Sequence, residues 1–451
     1  MKKVITYGTF DLFHEGHYNL LKRAKNLGDY LIVGVTTNQY DEYRGKLNVV
    51  DPIMKRIENV KNTGLVDEIV IEDHPGQKLE DIQKYNVDIF TVGSDWTGKF
   101  DFLKEYCKVV YLERTKGISS TLKRQSNYKL VRIGIIGSGR IAHRFVPEAK
   151  YVSGAIVDAV YNQNLDSAKN LCEKFELKCY TDNLDTLFKQ VDAVYIASPH
   201  ITHYDYIKKS LLNGKHVLCE KPLVLEKKQA IELYNLANEK NIVLMEAIKT
   251  AYCPGFNKLL GVAKNGCIGE IKDIEAGFTK LISGDTRELK YNEKGGSFTE
   301  LATYPLLPVL KLLGTEYKNI SFTTFLNKDG VDLYTKGYLE YENAISTVKI
   351  GLGVKSEGHM LISGTKGYIY VEAPWWKTES FEIRYENQNN NEKFFYKFLD
   401  DGLRYELSDF ISLINGHKEK SYKFTDKESI KIAEIMEIFL NKENTRIISR
   451  G

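Results

Sequence analysis

At 451 residues the chain is too long for a single hydrophobic core, and we expect two or three domains. A composition of 43% hydrophobic and 27% charged residues is typical of a globular protein and excludes a disordered chain. The 63 basic and 60 acidic residues leave a net charge of +3, which argues against a general nucleic-acid or membrane-surface binder.

Apolar runs and cysteines narrow the class further. No apolar run approaches the roughly 20 residues that cross a bilayer, and Asp11 interrupts any signal-like core after Lys2 and Lys3. The six cysteines are scattered without a CxxC pair, which favours reduced thiols over a zinc site or a disulfide framework. We therefore expect a cytoplasmic protein with no membrane partner, no nucleic-acid partner and no metal site of its own.

The first 124 residues alternate between strand and helix patterns. Apolar strands are predicted at 4–7, 31–36, 68–71, 89–92 and 109–111, and helices at 18–27, 52–63 and 78–85. This alternation predicts a small doubly wound, Rossmann-like α/β domain over residues 1–124, with a parallel sheet.

Two stretches of this domain carry groups that suit a phosphate chain. His14 and His17 stand three residues apart across a glycine at a helix start, where bound phosphate is favoured. On their own, such histidines could equally be surface or capping residues. The stretch from Arg114 to Thr121 places hydroxyls and cations after an apolar run, which suits a second phosphate-holding helix start.

The segments Gly8 to His17 and Arg114 to Thr121 resemble the two signatures of the cytidylyltransferase branch of the HxGH nucleotidyltransferases. Residues 93–101, GSDWTGKFD, are further similar to the glycerol-3-phosphate cytidylyltransferases. The resemblance implies transfer of CMP from CTP to a polyol phosphate in the presence of Mg²⁺, giving a CDP-polyol and pyrophosphate. Positioning and charge stabilisation would supply most of the catalysis. Ser120, where threonine is more familiar, and the loop 40–51 depart from the family pattern.

The same resemblance implies roles for individual residues. His14 and His17 would stabilise the pentavalent phosphorus, and Lys46 and Arg114 would act with them on the triphosphate. Two further sets are implied as ligands. CTP would contact Gly8, Thr9, Phe10, Asp11, His14, His17, Arg114, Gly117, Ile118, Ser119 and Thr121. The acceptor and base sites would be lined by Arg56, Asp95 and Trp96.

After a linker predicted at 125–129, a strand at 131–136 runs into a glycine-rich turn, Gly137-Ser138-Gly139-Arg140-Ile141-Ala142. Its spacing, between a strand and a helix, is typical of a dinucleotide-binding turn. About 20 residues on, where NAD enzymes place an acid against the ribose, the strand end offers Asn162 and Gln163. Asp158 is predicted inside that strand, so both NAD and NADP stay open as the cofactor.

Two later turns carry further motifs. Ser198-Pro199-His200-Ile201-Thr202-His203 follows a buried strand at 193–197, and Glu220-Lys221-Pro222 ends another strand. A lysine in such a place is more often a surface charge. With the glycine turn, however, these motifs resemble the Gfo/Idh/MocA oxidoreductases across residues 130–440.

This second resemblance implies a Rossmann domain at 130–250 and an α+β domain at 251–451, with an open antiparallel sheet and helices on one face. Stretches rich in β-branched and aromatic residues agree with it, at 271–278, 320–326, 333–341, 344–351, 359–363 and 367–372. Gly364 to Gly367 is a predicted hairpin turn. Because such open sheets commonly pair between subunits, we expect a homo-oligomer.

The stretch from Gly295 to Tyr304 is the candidate catalytic segment. An i, i+4 spacing predicts Glu300 and Tyr304 on one helical face. By resemblance, Lys221 would polarise a substrate carbonyl, Tyr304 would donate or accept the proton, and Glu300 would orient them or a substrate hydroxyl. Glutamate replaces the usual aspartate, and Cys253 stands where histidine or arginine is common. NAD(P) contacts are implied at Gly137, Ser138, Gly139, Arg140, Ile141, Asn162, Ser198, Pro199, His203, Glu220 and Lys221.

The joining of the two halves suggests one pathway, in which a sugar or sugar phosphate is reduced and the resulting polyol phosphate is activated with CTP. A CDP-polyol of this kind is a donor for surface polymers such as teichoic-acid-like chains. Two alternatives stand beside this hypothesis. The second half could act on the nucleotide-linked product, or it could be a catalytically silent binding and oligomerisation module.

Overall fold

The computed structural model describes residues 1–113, 130–416 and 421–448, and the chain divides into two compact units. Unit 1 holds residues 1–130 with 150–154, and unit 2 holds residues 131–149 with 155–451. Unit 2 thus contains both the predicted Rossmann domain and the predicted α+β domain. The linker predicted at 125–129 lies outside the described residues.

Unit 1 is built on a five-stranded parallel sheet in the order β3-β2-β1-β4-β5. Its strands are β1 (Lys3–Gly8), β2 (Tyr30–Thr36), β3 (Glu68–Glu72), β4 (Ile89–Gly93) and β5 (Lys108–Leu112). Its helices are α1 (Glu15–Lys25), α2 (Asn38–Tyr43), α3 (Ile53–Lys61) and α4 (Gln77–Tyr85). The central strands are apolar on both faces because helices cover both sides of the sheet. The predicted doubly wound fold is confirmed.

Unit 2 begins with a six-stranded parallel sheet in the order β11-β10-β9-β6-β7-β8. Its strands are β6 (Val131–Ile136), β7 (Ala155–Tyr161), β8 (Cys179–Thr181), β9 (Ala193–Ile196), β10 (His216–Glu220) and β11 (Leu244–Ala247). Its helices are α5 (Arg140–Ala149), α6 (Leu165–Phe175), α7 (Leu184–Gln190), α8 (His203–Leu212) and α9 (Lys227–Glu239). β6 lies between β7 and β9, so the chain reverses its direction across the sheet at this strand. The carboxyl end of β6 is therefore the place where such sheets bind ligands.

The remainder of unit 2 forms a nine-stranded sheet in the order β19-β18-β17-β16-β12-β15-β14-β13-β20. Its strands are β12 (Ile271–Thr279), β13 (Asn319–Leu326), β14 (Asp332–Glu340), β15 (Ile345–Gly351), β16 (Met360–Gly364), β17 (Tyr368–Val371), β18 (Ser380–Arg384), β19 (Glu392–Phe395) and β20 (Thr445–Ile448). Its helices are α10 (Lys249–Tyr252), α11 (Pro254–Lys264), α12 (Ser297–Leu301), α13 (Thr303–Leu313), α14 (Leu403–Ile414) and α15 (Asp426–Leu440). The hairpin turn at Gly364 to Gly367 is confirmed, with Gly364 N–H donating to Gly367 O at 2.9 Å.

The sheet differs from the predicted antiparallel one at two positions. β12 pairs in parallel with β15, and β13 pairs in parallel with β20, so the sheet is mixed although mostly antiparallel. Both parallel pairs join strands that are distant in sequence. Short hairpins produce antiparallel neighbours, whereas these long connections return the chain in the same direction.

The candidate catalytic segment spans two successive helices. Glu300 lies in α12 and Tyr304 in α13, and Ala302 forms a turn between the two helices. Pro305 has no N–H to donate to Leu301 O, so the hydrogen-bond ladder is interrupted at this point. Within the described ranges, no helix is long and apolar enough to cross a membrane.

Candidate functional site

The turn after β1 in unit 1 is held in a strained conformation. Phe10 and Leu12 have φ of 51° and 45°, in the left-handed region that bulky residues avoid. A Cβ at Gly8 would lie 2.9 Å from the Phe10 ring, so only glycine fits there. Asp11 accepts hydrogen bonds from the Val50 and Asp51 N–H groups at 3.1 and 2.8 Å. The loop 46–51 therefore fixes the turn in place.

His14 and His17 meet at the start of α1. His14 caps the helix, its Nδ1 accepting from Gly16 N–H at 3.0 Å, and the two imidazoles stack with centroids 3.9 Å apart. His17 Nδ1 is buried and has no hydrogen-bond partner among the described residues. Burial, with lesser contributions from His14 and Lys46, holds the pKa of His17 well below its usual range. At neutral pH His17 is thus an uncharged group that can hydrogen-bond a phosphate oxygen as a donor.

A buried carboxylate, Asp41, organises the loop beside this turn. It accepts from the hydroxyls of Thr9 and Thr36 at 2.9 and 2.6 Å and pairs with Arg44 at 2.6 Å. Arg56 Nη1 lies 3.6 Å from the same carboxylate. Because these partners come from β2, α2, α3 and the turn, Asp41 ties four segments together.

Arg56 itself is fully buried, and its guanidinium donates hydrogen bonds to acceptors within the protein. Its guanidinium donates to the carbonyl oxygens of Thr9, Thr36 and Asp51 at 2.7, 2.8 and 3.0 Å. In this arrangement Arg56 holds the turn after β1 in place, and its donors do not face an open site. Its role as an acceptor ligand stays a prediction.

Two lysines add positive charge at the carboxyl edge of the sheet. Burial lowers the pKa of Lys46, and the carboxylates of Asp11 and Asp41 act in the opposite direction. Lys78, at the start of α4, forms an ion pair with Glu72 and lies 4.6 Å from the Tyr7 ring centroid. Lys78 and Arg44 carry no recognised motif, and their position at this edge is visible only in the fold.

The remaining predictions for unit 1 fall in two groups. Asp95 and Trp96 follow β4 in a short 3₁₀ turn, with Trp96 half-buried and Lys99 Nζ 5.0 Å from its ring centroid. The predicted phosphate ligands after β5 lie outside the described residues: Arg114, Gly117, Ile118, Ser119 and Thr121.

In unit 2, the glycine-rich turn lies at the carboxyl end of β6 and fits a dinucleotide. Gly137 has φ of 99°, and a Cβ there would lie 2.8 Å from Ala197 O, so the turn requires glycine. A Cβ at Gly139 would meet no atom within 4 Å among the described residues, which leaves room for a pyrophosphate. Asn162, at the end of β7, donates to Ser138 Oγ at 2.7 Å and so braces the turn. Ile141 lies in α5, directly after Arg140.

His203 clamps two turns together. Its Nδ1 lies 2.9 Å from Pro222 O and its Nε2 lies 3.0 Å from Ser198 O. It is completely buried, and burial lowers its pKa although both hydrogen bonds raise it. His203 therefore joins the turn after β9 to the turn after β10, and Pro199 lies within the first of these.

Lys221 follows β10, and its side chain reaches the candidate catalytic segment. Its Nζ donates to the backbone O of Glu300 at 2.7 Å and lies 5.7 Å from the Tyr304 ring centroid. Burial, reinforced by nearby Glu220 and Glu406, raises the pKa of Tyr304, so the phenol keeps its proton. Glu220 accepts from the Tyr195 hydroxyl at 2.5 Å, and burial raises its pKa. Lys221 and a protonated phenol thus lie close together at the candidate catalytic segment.

The Glu300 carboxylate makes contacts that the sequence did not indicate. Arg287 Nη2 lies 2.8 Å from Glu300 Oε1, and His200 Nδ1 lies 3.6 Å from the same oxygen. Arg287 belongs to a short segment, residues 286–294, that we call the strap. Neither Arg287 nor His200 was among the predicted site residues. Arg287 is a single arginine in a polar loop and forms no motif, whereas His200 lies within the motif from Ser198 to His203 but was given no role there.

The Gly295-Gly296 pair holds the strap in place through backbone hydrogen bonds. Gly296 N–H donates to Glu288 O at 2.9 Å, and Gly295 N–H donates to Lys290 O at 3.0 Å. A Cβ at Gly295 would lie 2.6 Å from Glu288 O, and one at Gly296 would lie 2.0 Å from Asp332 Oδ1. Gly295 is therefore needed for the close approach of the strap's backbone, and Gly296 for the close approach of Asp332. On its far side, Glu288 pairs with Arg140 of the glycine-rich turn at 3.2 Å.

Taken together, the folds and sites define a nucleotidyltransferase unit followed by a dinucleotide-dependent oxidoreductase unit. Residues 5–126 match the cytidylyltransferase-like family model, and residues 131–248 match the model of the Gfo/Idh/MocA oxidoreductase family, an NAD-binding Rossmann fold. The chain therefore belongs to the cytidylyltransferase family through an N-terminal domain homologous to glycerol-3-phosphate cytidylyltransferase, fused to a Gfo/Idh/MocA oxidoreductase.

Individual relatives agree with this division. The glycerol-3-phosphate cytidylyltransferase of Bacillus spizizenii is 54% identical over 121 residues, which is 27% of this chain and 93% of that protein. The scyllo-inositol 2-dehydrogenase (NADP⁺) of Bacillus subtilis is 27% identical over 318 residues, 68% of this chain and 95% of that protein. A solved 3-ketoreductase from Actinomadura kijaniata, in complex with NADP and TDP-benzene, has a TM-score of 0.64 at 21% identity, covering 71% of this chain and 99% of that one.

Proposed function

We propose that the chain is a bifunctional enzyme that reduces a sugar or sugar-phosphate carbonyl with NAD(P)H and activates a polyol phosphate with CTP. One observation carries the proposal. A single chain combines a stacked histidine pair at the start of α1 with a lysine and a protonated tyrosine beside a dinucleotide turn.

In unit 1 the proposed reaction is attack of the acceptor phosphate on the α-phosphorus of CTP, with pyrophosphate leaving together with Mg²⁺. No side-chain nucleophile is needed, because catalysis comes from positioning and from stabilising negative charge. The neutral His17 and the cations Lys46, Arg44 and Lys78 support this chemistry at one edge of the sheet. The homology to glycerol-3-phosphate cytidylyltransferases supports a glycerol-phosphate-like acceptor and a CDP-glycerol-like product.

In unit 2 the bound nicotinamide would supply the hydride, and the protein would supply charge and a proton. Lys221 would polarise the carbonyl oxygen of the substrate, and Tyr304 would give its phenolic proton to that oxygen. The raised pKa of Tyr304 supports the acid role, since the phenol stays protonated until the substrate oxygen becomes basic.

The covalent joining of the two units supports a common product. If the reductase makes the polyol phosphate, the transferase can use it at once to form a CDP-polyol for a surface polymer. A nucleotide-linked sugar is the second candidate substrate of unit 2. It is favoured by the ligand TDP-benzene of the structurally similar 3-ketoreductase.

The test is a paired assay on the full chain and on two single variants. CTP with a panel of polyol phosphates is followed by pyrophosphate release, and NADH or NADPH with the matching ketose and aldose phosphates is followed by absorbance. We expect His17→Ala to lower the transferase rate by at least about 100-fold and leave the reductase intact. Lys221→Met should have the reverse effect. If the best acceptor in the first assay is not a reduction product in the second, the coupled pathway is refuted, and reduction of a CDP- or TDP-sugar instead would support the second candidate.

A further inference from the structure

Residues 150–154 belong to unit 1, although in the sequence they lie between α5 and β7. We call them the inserted segment. Its backbone pairs with loop 46–51 as a parallel β-bridge. Leu47 N–H donates to Tyr151 O at 2.7 Å, and Ser153 N–H donates to Leu47 O at 2.8 Å. The inserted segment thus holds a loop whose sequence departs from the family pattern.

The inserted segment also contacts two predicted residues of the transferase site. Lys46, expected to act on the triphosphate, donates from Nζ to Lys150 O at 3.1 Å. Asp11, expected to contact CTP, accepts a hydrogen bond from the Ser153 hydroxyl. Asp11 and Ser153 are both buried, with 8% and 7% of their surfaces exposed. Because a buried hydrogen bond to a carboxylate is among the stronger ones in proteins, this contact fixes the Asp11 side chain.

Two side chains of the inserted segment reach the predicted acceptor residues. Lys150 Nζ lies 3.3 Å from Asp95 Oδ1, and both side chains are exposed. The rings of Tyr151 and Trp96 meet edge to face, with centroids 6.5 Å apart. An exposed ion pair contributes little free energy, so the buried hydrogen bond of Ser153 is the stronger contact.

These contacts favour a positioning role over a blocking one. A lysine ammonium group can donate three hydrogen bonds, so donation to Lys150 O does not prevent Lys46 from donating to phosphate oxygens. Burial lowers the pKa of Lys46, and the Asp11 carboxylate acts in the opposite direction. By fixing Asp11, Ser153 supports the charged form of Lys46. A lysine that stays charged at this place can stabilise the negative charge of a triphosphate.

We infer that the inserted segment is a positioning element of the transferase site, in which Ser153 positions Asp11 and the Lys150 carbonyl oxygen positions Lys46 for the binding of CTP. This inference rests on the proposed transferase function. It makes the transferase depend on residues that lie beyond the domain predicted at 1–124.

The test is the variant Ser153→Ala of the full chain, which removes the hydroxyl donor and keeps the backbone. We expect KM for CTP to rise about tenfold or more, because a hydrogen bond to a buried charged group is lost. The kcat of the transferase and the activity of the reductase should change little. Ser153→Thr keeps a hydroxyl and should restore most of the wild-type KM. A role in stability alone would lower the melting temperature without raising KM for CTP.

The matched control is Thr63→Val in the same unit. The Thr63 hydroxyl donates to Val60 O at 2.7 Å and accepts from Leu65 N–H at 3.3 Å. Thr63 lies after α3 and before β3, where a parallel connection has returned to the amino edge of the sheet, away from the predicted CTP residues. Thr63→Val should therefore keep the wild-type KM for CTP. An unchanged KM in Ser153→Ala, or an equal rise in Thr63→Val, would overturn the inference. A fall in KM in Ser153→Ala would mean that the inserted segment blocks the site, which overturns it as well.

A binding measurement separates this inference from the proposed function. Calorimetric titration of the full chain with CTP and Mg²⁺ gives the Kd for CTP with no acceptor present. If no polyol phosphate is used but CTP binds, and Ser153→Ala raises its Kd about tenfold, the proposed acceptor class fails and the positioning role stands. If CMP is transferred to a polyol phosphate and Ser153→Ala changes neither Kd nor KM for CTP, the positioning role fails and the transferase stands. A wild-type chain that does not bind CTP refutes both.

Discussion

Gly296→Ala is expected to disable the oxidoreductase while sparing the transferase. Gly296 has φ of 136° and ψ of 158°, a region that only glycine occupies comfortably. A methyl group there would lie 2.0 Å from Asp332 Oδ1, a carboxylate that is itself buried. Asp332 Oδ2 accepts from Phe298 N–H at 2.8 Å and from the Ser297 hydroxyl. The clash would therefore displace the Asp332 carboxylate and break its hydrogen bonds to the start of α12.

The magnitude follows from these contacts. The backbone strain costs about 1–3 kcal/mol, and donors left unpaired in a buried place add about 1–3 kcal/mol. We expect unit 2 to lose about 2–6 kcal/mol, which lowers its melting temperature by roughly 3–10 °C. Glu300 lies in α12, and the preceding Gly295 and Gly296 hydrogen-bond the strap. We therefore also expect kcat/KM for the ketone to fall at least about tenfold.

The assay follows both activities and the thermal unfolding of each variant. Gly314→Ala is the matched control, since Gly314 has φ of 92° and ψ of 178° while a Cβ there meets no described atom within 4 Å. It should show the strain alone, with a loss of about 1–3 kcal/mol and an unchanged KM. Wild-type melting and reductase activity in Gly296→Ala would refute the reasoning, and so would an equal loss of reductase activity in Gly314→Ala.

Two further predictions concern buried ionisable groups. Arg56→Met should destabilise unit 1 by about 3–5 kcal/mol and raise KM for both CTP and the acceptor, because the carbonyl groups that Arg56 contacts in and beside the turn after β1 lose their hydrogen-bond donor. The control variant Lys55→Met, at the exposed neighbouring residue, should have neither effect. A rise in the acceptor KM alone would identify Arg56 as an acceptor ligand instead. Burial raises the pKa of Glu246 from 4.5 to about 7, so between these two pH values the folded protein keeps a proton on Glu246 that the unfolded chain loses. The free energy of unfolding therefore falls by about 3 kcal/mol as pH rises from about 5 to 8. Urea unfolding at these two pH values should show this fall in the wild type and not in Glu246→Gln, and an identical fall in both proteins would disprove the assignment.

The parallel sheets could be predicted from the sequence because their signals are local. Apolar runs such as 131–136 end in glycine-rich turns, and the carboxyl ends of parallel strands gather the motif residues at one edge. Lys221 and Tyr304 came from separate motifs, and the structure brings them within 5.7 Å.

The parts that could not be predicted depend on contacts between distant segments. Nothing in the residues around Arg287 indicates that it pairs with Glu300, and nothing near Arg56 indicates that its donors turn inward onto backbone carbonyls. The mixed order of the nine-stranded sheet is of the same kind, because strand direction is set by long connections.

The parallel pairing of β13 with β20 has a consequence for how the protein is made. Phe322 pairs with Thr445, so this edge of β13 has no partner strand during synthesis until residues 445–448 have been made. The sheet of unit 1, in contrast, is complete by Leu112. During translation the transferase can thus reach its native fold first, while the oxidoreductase passes through a stage with an unprotected strand edge, where nascent chains are most exposed to aggregation and to chaperones.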